Sequence, residues 1–224
     1  HRDDILQIEA IFMGQAGLLE LNTIPERYQK DALNDGYFAK LRNEYKYLAH
    51  KFNLTPMDYR QWRFLRLRPQ NFPHIRISQL AHLYYQRKAG LSQLVEAASV
   101  EDAKKVLATA VTPYWETHYT FGSTSVRNDK NLSPFSLNLL CINTVVPILF
   151  AYGRHRGEEK YCDRAFDFLE QLRPENNYII RLWQQSGLVV DNAGDSQALI
   201  QLKKEYCDKK ECLRCRFGYE YLKL

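Results

Sequence analysis

The chain has 224 residues, 45% hydrophobic, 13% aromatic and 25% charged, with a formal net charge of +5. That mixture excludes a disordered or low-complexity chain, and no segment repeats at solenoid spacing. We read residues 1–224 as a single helical domain with a possible subdivision near the 119–131 loop.

The opening His1-Arg2-Asp3-Asp4 has neither an initiator Met nor the basic-then-apolar layout of an export signal, which reads as a fragment starting inside a longer, cytoplasmic protein. Ile5, Ile8, Ile11, Phe12, Ala16 and Leu19 recur at three and four, predicting an amphipathic helix that ends near Leu21, ahead of Pro25. Tyr37, Phe38, Leu41, Tyr45, Leu48 and Phe52 repeat the pattern. Thr55 before Pro56 and Asp58 reads as an N-cap, starting a short helix through Trp62 that must stop before Pro69. A helix follows over 75–85, and Ser99 with Asp102 has capping-box spacing for a helix over 103–110, closed by Pro113. Residues 119–131 carry Gly122, Ser123, Asn128 and Asp129 without apolar period, which is loop chemistry.

Ser133-Pro134 opens the most apolar segment. Its run over 137–152 is interrupted by Asn138, Asn143 and Pro147 and falls short of the ~20 residues a bilayer crossing needs, so it reads as a core helix with no membrane partner. Further helices are expected over 158–172 and 177–186, the latter closed by Gly187, and then from an Asp195 cap through Ala198, Leu199 and Leu202. Period-two alternation is nearly absent, apart from a stray hairpin near Tyr119 or over 188–190. The predicted fold class is mainly α, a compact multi-helix domain of roughly eight to ten helices with little or no sheet.

Charge is segregated. Between Arg60 and Lys88 lie seven Lys and Arg residues and no carboxylate, which leaves −2 for the rest of the chain. Arg60 and Arg63 share a helical face, while Pro69 and Pro73 push the residues before them, Arg68 and Phe72, toward extended backbone. Guanidinium groups of Arg60, Arg63, Arg66, Arg68 and Arg76 on such a ribbon match phosphate geometry, and Trp62, Phe64 and Phe72 stand where bases would stack. This points to a nucleic-acid-contacting module, with DNA or RNA as partner, inside a larger nucleic-acid-processing protein. The alternative is a structural or interaction domain: arginines also cap helices and pair with carboxylates, the aromatics are ordinary core residues, and the ribbon would dock on an N-terminal domain of the same protein.

A third reading rests on Cys207, Cys212 and Cys215, three thiols within nine residues. Closely spaced thiolates suit zinc or an iron–sulfur cluster, with Cys162 or His155 as a distant fourth ligand, and the surrounding Lys209, Lys210, Arg214 and Arg216 would lower thiol pKa. Reduced thiols at a helix end are the competing explanation. Asp191 and Asp195 are better explained by a cap and turn than by paired acid–base work, and His118 beside Glu116, His50, His74 and His82 lack metal-like spacing. Asn138 and Asn143 within the apolar helix need hydrogen-bond partners or a cleft. No complete catalytic signature is present.

The segment from Arg66 through Leu-Arg-Pro-Gln-Asn-Phe-Pro-His-Ile-Arg-Ile-Ser-Gln-Leu to Ala81, the run from Ile142 to Gly153, Asp195-Ser-Gln-Ala-Leu, Tyr206-Cys and Lys210-Glu-Cys-Leu-Arg-Cys together resemble an uncharacterised bacterial domain-of-unknown-function family, as does the opening from Gln7 to Leu19. The resemblance covers almost the whole chain and implies the C-terminal part of a longer bacterial cytoplasmic protein. It brings no established activity.

Overall fold

Asp4 turns its carboxylate back onto the helix it precedes, accepting from the N–H of Leu6 at 2.9 Å and Gln7 at 3.3 Å, and so starts α1 (Ile5–Gln15). After α2 (Glu26–Leu33), Asp35 does the same for Tyr37 and Phe38 at the head of α3 (Gly36–Phe52). A computed structural model describes residues 4–87 and 90–222. It adds α4 (Pro73–Tyr85), α5 (Leu91–Glu96), α6 (Val100–Leu107), α7 (Pro134–Leu140), α8 (Val146–Arg156), α9 (Glu159–Gln171), α10 (Tyr178–Gln185), α11 (Ala193–Leu202) and α12 (Arg216–Leu222). Among the described residues these make eleven continuous helices and one small sheet, so the fold is mainly α.

Ser99 caps its helix as expected: Asp102 N–H donates to Ser99 Oγ at 3.1 Å, and that hydroxyl donates to the Asp102 carboxylate at 2.7 Å. The helix it starts stops at Leu107, short of the expected 110. Asp195 is not the cap of α11. Asn192 Oδ1 accepts the Asp195 N–H at 3.0 Å, and the Asp195 carboxylate reaches back to the Asp191 N–H at 3.0 Å. An amide thus holds the cap and the acid sits one turn in, where it still complements the helix dipole.

The chain divides into two compact units, the first formed by His1–Gly90 and Val106–Ser133, the second by Leu91–Lys105 and Pro134–Leu224. In the first, α1 packs against both α3 and α4. Met13, Leu18, Phe38, Leu41, Trp115 and Phe121 are fully buried in its core. The segment expected as loop opens with an antiparallel hairpin, β1 (His118–Thr120) and β2 (Ser123–Thr124), which matches the hairpin predicted near Tyr119.

In the second unit α7 and α8 run on as one 23-residue helix, Pro134–Arg156, longer than the apolar run suggested. Pro147 does not break it. A π turn over Cys141–Val145, in which Val146 N–H bonds to Cys141 O, widens the helix just before the ring that has no N–H to give. By length and composition this helix also suffices to cross a membrane; 28% of its most apolar window is buried here, a test that core helices also pass. Gly157 in left-handed conformation ends α8, and α9 returns along it. The guanidinium of Arg164 on α9 donates to Val95 O at 2.9 Å and Ala97 O at 3.2 Å, closing the end of α5.

The α8–α9 contact has no room for a side chain at Gly153, where a Cβ would lie 2.8 Å from Cys162 Sγ and 3.0 Å from two backbone atoms. Gly153→Ala is expected to destabilise the protein by about 1–3 kcal/mol through overpacking, read as a lower urea midpoint; an unchanged midpoint would show that these helices separate freely.

Candidate functional site

The arginine-rich segment is built onto the end of α1. The last carbonyls of a helix have no partner within it. Here Met57 N–H donates to Gln15 O at 2.9 Å and the Trp62 indole N–H to Ala16 O at 2.6 Å. Gly17, with φ +68°, permits this: a Cβ there would lie 2.5 Å from Met57 O. Met57 N–H is thus taken by α1 and not by a Thr55 cap, and the helix expected from Thr55 does not form. Asp58 instead caps a single 3-10 turn, Tyr59–Gln61, and takes Arg60 in an exposed ion pair at 2.8 Å. Hydrogen bonding from Arg60 holds the Asp58 carboxyl below its usual range.

Leu67 N–H then donates to Phe64 O at 3.2 Å, closing a turn whose third residue, Arg66, has φ +65°. That left-handed position suits glycine, and costs another residue about 1–2 kcal/mol. Arg68, held extended before Pro69, leads into a 3-10 turn over Pro69–Asn71, and Phe72 starts α4. Both pre-proline residues are extended as expected. Trp62, Phe64 and Phe72 are half-buried and packed against the core, so they anchor the segment and only part of each ring is accessible.

What faces solvent is charge. Arg63, Arg66 and Arg68 are exposed, and none of the three makes an ion pair or side-chain hydrogen bond among the described residues. Leu65 at the tip is 85% exposed. Arg76 is half-buried and committed to the scaffold, donating to Asn71 Oδ1 at 2.6 Å and Gln79 Oε1 at 2.9 Å. Lys88, the last charge of the basic window, lies outside the described residues.

Beneath this surface is a polar network that periodicity did not reveal. Glu9 on α1 is 0% exposed. Its carboxylate accepts from Tyr37 Oη at 2.6 Å, from Thr112 Oγ1 at 2.8 Å and from the Trp115 indole N–H. Desolvation dominates, and raises the Glu9 pKa against the pull of these donors. Lys130, also buried, donates to the carbonyls of Trp115 and Glu116, and its own carbonyl accepts from Gln79 Nε2 at 2.7 Å. The available signal was the place of Glu9 four residues after Ile5 and four before Met13, on the face that is buried. His74 is enclosed by the rings of Phe64, Trp115 and Phe121 with centroids 5.5–5.8 Å away, and neither ring nitrogen has a hydrogen-bond partner. Burial pushes its pKa down to about 4, against a smaller opposing effect of the Leu18 backbone.

The other predicted chemistry is dispersed. Cys207 and Cys212 are exposed and Cys215 is buried at the head of α12, and no group of three His, Cys, Asp or Glu that could hold a metal occurs among the described residues. The Cys207 thiol is pushed up, first by desolvation and then by Cys215, opposite to the direction expected. Three of the four surrounding bases are paired locally: Lys209 with Glu205, Arg214 with Glu211 and Arg216 with Glu220. Cys162 points at Phe150 O. Asn143 is exposed and donates to Leu139 O at 3.0 Å, whereas Asn138 lines a cavity of about 610 Å³ in the second unit, its Oδ1 buried without a partner. His118 stacks on Tyr114 at 4.0 Å, and Glu116 pairs with Arg127.

Comparison with known proteins gives one family: the model described as "Protein of unknown function (DUF2851)" matches residues 1–178, and the chain belongs to this family. No curated protein and no solved structure matches it.

The pH dependence of stability tests the buried histidine. In the folded state His74 stays neutral down to about pH 4, whereas the unfolded chain takes up the proton near 6.5, so stability falls as pH drops through that window. Glu9, raised by folding, acts in the opposite direction. His74→Leu removes the first contribution alone, and from pH 7 to pH 5 the variant is expected to lose about 2 kcal/mol less than the wild type in urea titrations. Parallel losses would show that His74 is protonated inside the fold.

Proposed function

We propose that this DUF2851 protein binds the phosphate backbone of DNA or RNA through Arg63, Arg66 and Arg68. The observation that carries the reading is that these three guanidinium groups are exposed and uncompensated on a segment whose aromatics are anchored in the core. A rigid ribbon loses little freedom on binding, and guanidinium forks match phosphate oxygens in bidentate contact. Arg60 contributes less, since Asp58 already shares its charge. Arg76 holds Asn71 in place and so fixes the turn after Arg68.

The strained backbone of Arg66 supports the same reading. A glycine there would relieve the conformation, so the side chain is kept at a cost to stability. No base-specific contact is required for this term, and it serves any nucleic-acid-processing assembly that contains the chain.

Fluorescence anisotropy with labelled single- and double-stranded oligonucleotides tests it. Three phosphate contacts predict that affinity falls about 20- to 40-fold between ~50 and ~200 mM salt. Arg63→Ala, Arg66→Ala and Arg68→Ala are each expected to weaken binding to all sequences alike and to lower the salt slope by about 1. An undetectable or salt-insensitive interaction would overturn the proposal.

A further inference from the structure

Beside the exposed arginines the first unit has a cavity of about 290 Å³, walled by Ile24, Pro25, Phe64 and Phe72, with Asn22 and Thr120 also lining it. Phe64 and Phe72 meet edge to face with centroids 6.0 Å apart. Thr120 is 6% exposed and its Oγ1 has no hydrogen-bond partner, although buried hydroxyls are nearly always satisfied. The neighbouring Thr23 is different: its hydroxyl donates to Glu20 O at 2.7 Å. Asn22 is exposed, and its amide makes no hydrogen bond among the described residues. The cavity therefore combines aromatic and aliphatic walls with two unused polar groups.

We infer that this cavity receives a single unstacked nucleobase of a single-stranded nucleic acid whose phosphates lie on Arg66 and Arg68. The inference rests on the phosphate-contact reading above and gives it a strand type. Size favours a base: drug-sized ligands occupy pockets of ~300–1,000 Å³, and this one falls just below that range, suited to one planar heterocycle. Placement favours it too. Phe64 is the first residue of the turn that carries Arg66, and Phe72 closes the 3-10 turn that follows Arg68, so the walls and the guanidinium groups belong to one short segment. Aromatic walls hold any base by its face. The Thr120 hydroxyl, donor and acceptor at once, and the Asn22 amide meet the polar edge of the ring. A base in a duplex would have to be unpaired first, whereas a single strand offers it directly.

The test uses the full chain and three labelled probes by anisotropy: a mixed-sequence single-stranded 12-mer, the same 12-mer made abasic throughout, and its duplex. The abasic strand and the duplex are expected to bind about tenfold more weakly than the normal strand, the abasic strand with an unchanged salt slope. Thr120→Val keeps the shape, and Asn22→Ala lies on the surface. Each is expected to weaken the normal strand severalfold and to leave the abasic strand unaffected. Equal affinity for normal and abasic strands, or variants that shift both alike, would overturn the pocket while leaving the arginines as the binding surface. Absence of binding to all three probes would overturn both.

Discussion

A carboxylate shut away from water is the constraint on which the first unit depends. Removing an ionised group from solvent costs several kcal/mol, and this is tolerable only when its lone pairs are met by donors. Glu9 finds them in Tyr37, Thr112 and Trp115, drawn from α3 and from the stretch after α6. Each donor must be in register for the others to be useful, so one side chain of α1 fixes where α3 and the Trp115 segment can lie. Tyr37 then stacks on Tyr114 at 4.3 Å, and Tyr114 in turn hydroxyl-bonds to Asp35, the cap of α3. The apolar core supplies the bulk of the driving force and this network supplies its specificity.

The arginine segment divides its labour by residue type. Trp62, Phe64 and Phe72 face inward, and Arg63, Arg66 and Arg68 face outward, an alternation imposed by two prolines and one left-handed residue with no strand partner. Hydrogen bonds from Met57 and Trp62 to the end of α1 hold the segment at its base. Its charge is therefore presented from a fixed frame that also forms one side of the Phe64–Phe72 cavity.

Helix content was legible because local chemistry and tertiary packing agree for most of the chain: the Ser99 cap and the left-handed Gly187 stop lie where the residues place them. Thr55 failed as a cap because the first amide after Pro56, that of Met57, is bonded to the distant Gln15 carbonyl, and the π turn that carries the core helix through Pro147 has no sequence signature of its own. The basic cluster could be read from charge alone, but which of its arginines stand free could not, since Asp58 takes Arg60 and Asn71 and Gln79 take Arg76 only in the completed fold. The network around Glu9 could not, since its members are isolated residues whose meeting depends on the completed fold, and the same holds for Asn22 and Thr120.

The bonds from Glu9 to Thr112 and Trp115 span 103 and 106 residues, and between them the chain contributes α5 and the start of α6 to the other unit. During synthesis, then, α1 emerges with an acid that has only Tyr37 to meet it until well over a hundred residues have been made. Closing so large a loop is slow relative to forming helices, and domains ordinarily complete themselves in N-to-C order. Here the order is interleaved: the first unit reaches its native state only after part of the second has been translated, which makes the nascent N-terminal helices the stretch of this protein most dependent on protection from premature association.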